Sequence, residues 1–197
     1  MFERLVPART LLLVVDVQER LASAMPDARM TRLVANAEIL LEAARLCRIP
    51  TLATEQYPKG LGPTLAPLAS KLTALGVTPT AKMTFDALGA PDVAMAFAMV
   101  DPSAVIVLGM ESHVCVFQTA RDVIIAGKQV FVPQDAVLSR HAEMCGAGLH
   151  LIEQAGGVIT TTETILFDLI KKAGTPAFKT VLSWIKPASV SPIGFGR

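Results

Sequence analysis

The sequence has little net charge and no long apolar run. Of its 197 residues, 18 are Lys or Arg and 17 are Asp or Glu, which leaves a formal charge of +1. This balance provides no basic surface for nucleic acid or for an anionic membrane, so we expect neither as a partner. The longest uninterrupted apolar run, segment 93–100, has eight residues. About 20 are needed to cross a bilayer, so we predict no membrane span.

Cysteine and histidine are also scarce. The chain has three cysteines, an odd number without CxxC or zinc-type spacing: Cys47, Cys115 and Cys145. His141 and His150 are nine residues apart in one predicted helix and therefore lie on opposite faces of it. We expect no disulfide framework, no bound metal and no cofactor. The N-terminal segment has no signal-peptide core, and we predict a cytoplasmic protein.

No glycine-rich phosphate loop follows the first predicted strand. That strand leads into segment 16–19, Asp-Val-Gln-Glu, without the GxGxxG or Walker A pattern of a nucleotide cradle. A haloacid dehalogenase-like phosphatase with Asp16 as nucleophile would need a second Asp two residues later, where Gln18 stands. Ser112 lies in Gly-Met-Glu-Ser-His, which lacks the GxSxG spacing of an α/β-hydrolase elbow. The sequence therefore argues against these three classes.

Apolar residues, by contrast, make up 52% of the chain. A chain of this length is expected to form one domain, which we place at residues 1–186, followed by a C-terminal tail at 187–197. Some of the apolar surface should be buried between subunits, because monomers rarely expose large apolar patches. We therefore predict a homo-oligomer.

Short apolar strands alternate with helical patterns along the chain. The predicted strands are 10–15, 51–54, 77–81, 103–108, 129–133 and 158–160. The predicted helices are 32–48, 68–75, 91–100, 113–126, 139–154 and 178–184. Segment 57–67, with three prolines and two glycines, is expected to be a loop that overlies a site. The alternation predicts an α/β fold, a three-layer α/β/α sandwich with a doubly wound parallel sheet.

Three reactive side chains follow the ends of predicted strands. Asp16 ends the first strand, Lys82 follows the third, and the fourth leads through a short turn to Cys115. Because the carboxyl ends of parallel strands meet at one edge of a sheet, these side chains are expected to converge. Taken singly, each has a structural explanation: a turn cap, a surface charge and a small buried side chain. Their shared position is what predicts a site.

A carboxylate, an ammonium and a thiol together predict nucleophilic catalysis. Cys115 stands at the start of a predicted helix, where unpaired N–H groups and the helix dipole favour a thiolate. Asp16 would accept the thiol proton as general base, and Lys82 would keep Asp16 ionised. Backbone N–H groups of segment 111–115 would form an oxyanion hole. The expected reaction is acyl transfer through a thioester, with a small-molecule substrate.

Four segments carry a resemblance to a known family: Leu-Val-Val-Asp-Val-Gln at 13–18, Thr-Glu-Gln-Tyr-Pro-Lys-Gly-Leu-Gly at 54–62, Lys-Met-Thr-Phe-Asp at 82–86, and Gly-Met-Glu-Ser-His-Val-Cys-Val-Phe-Gln-Thr-Ala at 109–120. Over nearly its whole length the chain resembles the isochorismatase-like cysteine hydrolase superfamily, in particular the isochorismatase domain-containing hydrolases of undefined substrate. The resemblance implies a six-stranded, Rossmann-like parallel sheet and a catalytic triad at Asp16, Lys82 and Cys115. It also implies a cis peptide bond before Glu111 that turns the Glu111 N–H toward the substrate.

The resemblance also bears on the reaction. Nicotinamidases of this superfamily carry an Asp and histidines for a divalent metal between the Asp and the Lys of the triad, but no histidine lies between Asp16 and Lys82. Isochorismatases proper cleave a vinyl ether without the cysteine. Cys115 therefore indicates a metal-independent hydrolase of a C–N bond in an amide, ureide or carbamoyl compound. Two alternatives stay open: a vinyl-ether hydrolase of the isochorismatase type, and a catalytically silent binding protein with this fold.

Five further side chains are expected around the substrate: Gln18, Tyr57, Phe85, Glu111 and His113. The alternative to substrate contact is a packing role for Tyr57 and Phe85, and a position facing solvent for His113. Glu111 beside the nucleophile would repel a carboxylate, and the matched segments supply no arginine to bind one. A neutral or cationic amide is therefore the expected substrate.

Overall fold

A parallel β-sheet lies at the centre of the protein, whose computed structural model describes residues 2–185. Its strands are β1 (Thr10–Val15), β2 (Thr51–Gln56), β3 (Thr80–Lys82), β4 (Ala104–Met110), β5 (Gln129–Pro133), β6 (Val137–Leu138) and β7 (Val158–Thr160). They are ordered β3-β2-β1-β4-β5-β7, and β6 pairs with the end of β4. The pairs between these strands are all parallel. The sheet confirms the predicted doubly wound α/β fold.

Helices cover both faces of this sheet. They are α1 (Glu19–Ala22), α2 (Asp27–Cys47), α3 (Pro58–Leu61), α4 (Ala66–Ala74), α5 (Pro91–Val100), α6 (Phe117–Ile125), α7 (Ala142–Gln154), α8 (Thr162–Ile170) and α9 (Pro176–Ile185). Helices α2, α4 and α8 pack on one face, and α5, α6 and α7 pack on the other, which gives the three layers. Within residues 2–185, no helix is both long enough and apolar enough to span a membrane.

Strand β1 illustrates how the sequence forms the centre of the sheet. Leu12 and Val14 pack in the apolar cluster that includes α2, whereas Leu11, Leu13 and Val15 pack in the cluster that includes α5 and α6. Successive side chains of a strand point to opposite faces, so an entirely apolar strand suits a sheet covered on both sides. Burial of each such side chain contributes about 1.5 to 3 kcal/mol.

The described part of the sheet has seven strands, one more than the six expected. The additional strand, β6, contains only Val137 and Leu138, and two residues are too few to show a periodic pattern. Strand β5 pairs with β4 only along Ala104–Ile106, and β6 pairs with the last two residues of β4. Two successive short strands therefore share one edge of β4.

Several element boundaries differ from the prediction. Segment 57–67 is not a continuous loop, because it contains α3 and the first residues of α4. Segment 113–126 divides into a π-helical turn, Ser112–Val116, and helix α6. The patterns above do not predict α8, which begins where the Thr161 hydroxyl accepts the N–H of Thr164. The predicted tail, 187–197, lies outside the described residues.

The order of the strands creates a crevice between β1 and β4. From β1 the chain moves outward to β2 and β3, and from β4 it moves outward to β5 and β7 in the other direction. The two strands meet closely at Gly109, where a Cβ atom would lie 1.9 Å from the carbonyl oxygen of Val15 and where φ is +124°. Ligands of open α/β sheets bind at the carboxyl ends of the strands at such a point.

Candidate active site

Asp16 leaves the end of β1 in a left-handed backbone conformation, with a φ of 52°. Asp tolerates this conformation better than most residues do. The chain turns tightly there, since the Gln18 N–H donates to the Asp16 carbonyl oxygen at 2.9 Å. On the neighbouring strand β2, Thr54 Oγ1 donates to Asp16 Oδ1 at 2.7 Å. The carboxylate is thereby fixed at the crevice and fully shielded from solvent.

Lys82, the last residue of β3, brings its ammonium to this carboxylate. Nζ lies 2.7 Å from Asp16 Oδ2, and neither side chain is accessible to solvent. Its hydrogen bonds go elsewhere, to Gln56 Oε1 at 2.7 Å and to the carbonyl oxygens of Thr84 and Phe85 at 3.1 Å each. An ammonium has three N–H donors, so these bonds use all of them. Asp16 Oδ2 is thus held by the charge of Lys82 rather than by a well-directed hydrogen bond from residues 2–185.

Cys115 lies in the π-helical turn and is almost completely buried. Burial raises the pKa of Cys115 to about 12; the Asp16 carboxylate also raises this pKa, and the Lys82 ammonium lowers it. The three reactive side chains therefore lie close enough to influence one another. Burial therefore opposes the thiolate that the start of a helix favours, and the transfer of the thiol proton to Asp16 stays a prediction. A nucleophile held as a thiol requires a neighbouring base.

The turn that carries Cys115 begins at a cis peptide bond between Met110 and Glu111, the geometry that the family resemblance implies. The Glu111 carbonyl oxygen accepts the N–H of Val114 at 3.0 Å and that of Val116 at 3.2 Å. These bonds close the first turn after β4. Cys115 is consequently carried by a short, hydrogen-bonded turn directly at the end of a central strand.

Cys115 lines a small cavity of about 110 Å³. The other side chains that line it are Leu21, Gln56, Leu61, Phe85, Glu111 and Val114. Asp16 and Lys82 are not among these lining side chains, so of the three reactive groups the sulfur is the one that faces the cavity. A larger cavity of about 580 Å³ next to β7 contains none of the three reactive side chains.

Two of the predicted substrate-binding residues, Phe85 and Glu111, line the cavity. The Glu111 carboxylate is already paired, because its Oε2 accepts the backbone N–H and the Nε–H of Arg140, each at 3.1 Å. The negative charge that is expected to repel a carboxylate substrate is thus balanced by Arg140. Arg140 follows β6, a strand that the sequence does not predict.

Gln18, also predicted to bind substrate, is fully buried and does not line the cavity. Its Oε1 accepts the Gln56 N–H at 2.8 Å, and its Nε2 donates to the carbonyl oxygens of Gln56 at 3.0 Å and of Gly62 at 2.7 Å. The polar capacity of the amide is thus used within the protein. Gln18 fastens the segment after β2 to the end of that strand, and its predicted role is corrected to a structural one.

Tyr57 and His113 lie outside the cavity lining as well. Tyr57 precedes α3 and is 48% exposed. His113 Nδ1 lies 3.0 Å from Ser139 Oγ, and the same hydroxyl lies 2.6 Å from Ser112 Oγ. Helix α7 packs directly on this turn, since a Cβ atom at Gly148 would lie 2.6 Å from the His113 nitrogen. These contacts hold the turn that carries the thiol.

The site thus combines a thiol, a carboxylate and an ammonium. Residues 2–185 contain no group of three or more His, Cys, Asp or Glu side chains that could hold a metal ion. The arrangement is suited to proton transfer between the thiol and the carboxylate, and to attack by sulfur on a molecule in the cavity.

The family model for the isochorismatase domain matches residues 10–164. This chain belongs to the isochorismatase family. Isochorismatase domain-containing protein 2 of Danio rerio is 35% identical over 178 residues, which cover 90% of this chain and 87% of that protein. The secreted isochorismatase effector Isc1 of Phytophthora sojae is 33% identical over 186 residues, which cover 93% of this chain and 87% of that protein. The family resemblance is confirmed.

Two solved structures have the same fold. The MAR1 ribonuclease of Caenorhabditis elegans superposes with a TM-score of 0.86 at 33% identity, over 98% of this chain and 99% of that one. The YcaC gene product of Escherichia coli, described as an octameric hydrolase of unknown specificity, gives a TM-score of 0.84 at 23% identity, over 93% and 91% of the two chains. Its likeness to this isochorismatase-family chain concerns the fold alone.

Proposed function

We propose that this isochorismatase-family protein hydrolyses the C–N bond of a small amide, ureide or carbamoyl compound through a thioester on Cys115. One observation carries the proposal: a cavity-lining thiol lies close to the buried Asp16 carboxylate, whose Oδ2 is paired with the Lys82 ammonium and has no well-directed hydrogen bond from residues 2–185. That oxygen of Asp16 is suited to accept the thiol proton. Cys115 is the proposed nucleophile, Asp16 the general base, and Lys82 the charge that supports both.

In the first half of the reaction, the Cys115 sulfur bonds to the substrate carbonyl carbon while the thiol proton moves to Asp16 Oδ2. The carbonyl oxygen becomes an oxyanion, which backbone N–H groups of segment 111–115 stabilise. Collapse of this intermediate breaks the C–N bond, and the proton on Asp16 passes to the leaving nitrogen. Ammonia or an amine departs, and the acyl group remains on sulfur.

In the second half, Asp16 takes a proton from water while the water oxygen bonds to the thioester carbon. The C–S bond then breaks, the acid product leaves, and the proton on Asp16 returns to sulfur. Lys82 favours negative charge throughout, because the ammonium lowers the pKa of Cys115 and attracts the Asp16 carboxylate. The cycle begins and ends with a thiol, which suits the raised pKa of this side chain.

The test is a screen of small amides, ureides and carbamoyl compounds with detection of ammonia, in which Cys115→Ala is compared with Cys47→Ala. Cys47 is half-buried near the end of α2, so Cys47→Ala makes the same change away from the cavity. We expect turnover by the wild type and by Cys47→Ala, and none by Cys115→Ala. Turnover by Cys115→Ala would contradict the thioester route.

The same screen separates the alternatives. Cleavage of vinyl ethers that survives in Cys115→Ala would indicate the isochorismatase-type reaction, and binding without turnover of any compound would indicate a silent binding protein. RNA is included because the C. elegans relative is named a ribonuclease. EDTA should leave the rate unchanged; a loss that zinc restores would contradict the proposed metal independence.

We also propose that the protein works as a homo-oligomer in a reducing compartment such as the cytoplasm. Large apolar side chains are exposed on the described surface: Phe2, Met83, Phe85, Met95, Met99 and Ile125. Burial of such residues between subunits is favourable. The three free cysteines support the choice of compartment. Sedimentation equilibrium should give a mass of at least twice the 20.9 kDa of one chain, and a monomer mass would contradict the assembly.

A further inference from the structure

We propose that the cavity beside Cys115 accepts a short, uncharged aliphatic acyl group and that Leu21 and Leu61 limit its length. This inference rests on the proposed hydrolysis and names its substrate class as short aliphatic primary amides. Three properties of the site support it: the chemistry of the lining, the volume of the cavity, and the way in which the wall with the two leucines is held.

The lining is mostly apolar. Four of the six side chains that surround Cys115 carry no polar atom: Leu21, Leu61, Phe85 and Val114. An aliphatic acyl group that enters the cavity leaves water and contacts these side chains, which favours binding about fourfold for each CH₂ group buried.

The two polar side chains of the lining are already engaged. Gln56 Oε1 accepts a hydrogen bond from Lys82 at 2.7 Å, and Gln56 Nε2 donates to the Met83 carbonyl oxygen at 3.1 Å. Glu111 Oε2 accepts both hydrogen bonds from Arg140. A carboxylate on the substrate would therefore lose hydration beside the negative charge of Glu111, and an ammonium would meet a carboxylate that Arg140 already balances. The lining thus favours an uncharged acyl group.

The volume of the cavity limits the acyl group to a few atoms. The cavity has a volume of about 110 Å³. In another protein, an engineered apolar cavity of about 150 Å³ holds one benzene ring. An aromatic acyl group is therefore too large for this cavity unless its wall moves, whereas a chain of three or four carbons fits.

The wall that carries the two leucines is tied to the sheet. Leu21 lies on α1 and Leu61 on α3, and these two short helices contact each other. The amide of Gln18 fastens α3 to the end of β2, as described above. Glu55 Oε1 on β2 also accepts the N–H and the hydroxyl of Thr64, each at 2.7 Å. A wall held at both ends sets a fixed limit on chain length.

The experiment measures kcat/KM for acetamide, propanamide, butanamide, hexanamide, benzamide and succinamate. In the wild type, butanamide should exceed hexanamide, benzamide and succinamate by at least about tenfold. Leu61→Ala should raise the ratio of hexanamide to butanamide at least about tenfold, and Leu61→Phe should move the preference to acetamide. Leu46→Ala, on the partly exposed end of α2, is the matched control and should leave every ratio unchanged.

A second measurement records binding without turnover, as protection of Cys115 from iodoacetamide by each amide. The amides could protect Cys115 in the order expected for kcat/KM, with butanamide ahead of hexanamide, benzamide and succinamate, and yet release no ammonia. This result would overturn the proposed hydrolysis but support the acyl cavity. Hydrolysis with a preference for benzamide or succinamate would overturn the inference and leave the hydrolysis standing. A hexanamide to butanamide ratio that Leu61→Ala does not change would overturn the role of Leu61. Neither protection nor turnover by any amide would overturn both proposals.

Discussion

The Lys82 ammonium lies 2.7 Å from Asp16 Oδ2 in an ion pair without access to solvent. Removing two charges from water is costly, and their attraction offsets this cost only while both partners are present. The same ammonium donates to Gln56, Thr84 and Phe85, and two of these residues, Gln56 and Phe85, line the cavity. Lys82 is therefore important for the stability of the site as well as for its proposed chemistry.

Lys82→Met should lower the free energy of unfolding by about 3 to 5 kcal/mol, because it leaves the Asp16 carboxylate buried without its partner. Urea unfolding measures the loss. The double variant Asp16→Asn with Lys82→Met should be more stable than Lys82→Met alone, since it removes the isolated charge. If the double variant loses as much unfolding free energy as the two single variants together, Asp16 and Lys82 do not stabilise each other as an ion pair.

Asp16→Asn should have opposite effects on alkylation and on hydrolysis. The pKa of Cys115 should fall, because the Asp16 carboxylate raises it in the wild type. Each unit of that fall increases the thiolate fraction, and with it the rate of iodoacetamide labelling at neutral pH, about tenfold. Amide hydrolysis should fall at least about a hundredfold, because the proton acceptor is lost.

Mass spectrometry of the Cys115 peptide over a range of pH gives the labelling rates. Asn also tolerates the left-handed backbone at this position, so the variant should fold. Asp92→Asn, on the exposed surface of α5, removes the same charge elsewhere and should change neither rate. A drop in both rates in Asp16→Asn would indicate a structural role for the carboxylate instead.

Gly148→Ala and Gly146→Ala make the same change two residues apart in α7. Ala is favoured over Gly inside a helix by about 1 kcal/mol, so Gly146→Ala should stabilise the protein, because its Cβ meets no atom within 4 Å. At Gly148 the Cβ would lie 2.6 Å from backbone atoms of Ser112 and His113. Gly148→Ala should cost about 1 to 3 kcal/mol in urea unfolding and lower kcat. Equal effects of the two substitutions would contradict this packing.

Gln18→Glu tests the structural role assigned to this buried side chain. The substitution removes the donor to the Gln56 and Gly62 carbonyl oxygens and places a carboxylate against them. We expect a loss of at least about 3 kcal/mol in unfolding free energy. Gln134→Glu, on the exposed turn after β5, is the control and should be nearly neutral. Normal stability in Gln18→Glu would return Gln18 to the candidates for substrate binding.

Much of the sheet could be predicted because its central strands are uninterrupted apolar runs. Strands β1, β5 and β7 and helix α5 have the predicted bounds. The positions of Asp16, Lys82 and Cys115 follow from the same reasoning, since each comes just after a strand and the ends of parallel strands share one edge. The alternation of strands and helices along the sequence is enough to predict that these residues lie together.

The remaining features depend on contacts between distant segments and leave no local pattern. Arg140 pairs with Glu111 only because β6 brings its segment beside β4. Gln18 follows the first strand and so resembles a site residue. Its side-chain amide instead donates a hydrogen bond to the Gly62 carbonyl oxygen, away from the cavity. The raised pKa of Cys115 arises mainly from burial, which a position at a helix start does not reveal.

The turn that carries Cys115 depends on the two-residue strand β6, which belongs to a part of the chain that is synthesised later. This strand leads directly to Ser139, which contacts Ser112 and His113, and to Arg140, which binds Glu111. A nascent chain that has just passed the thiol already contains every proposed catalytic side chain but none of these supports. During N-to-C-terminal synthesis these contacts can therefore form only after about 25 further residues, up to Arg140, have been added to the chain.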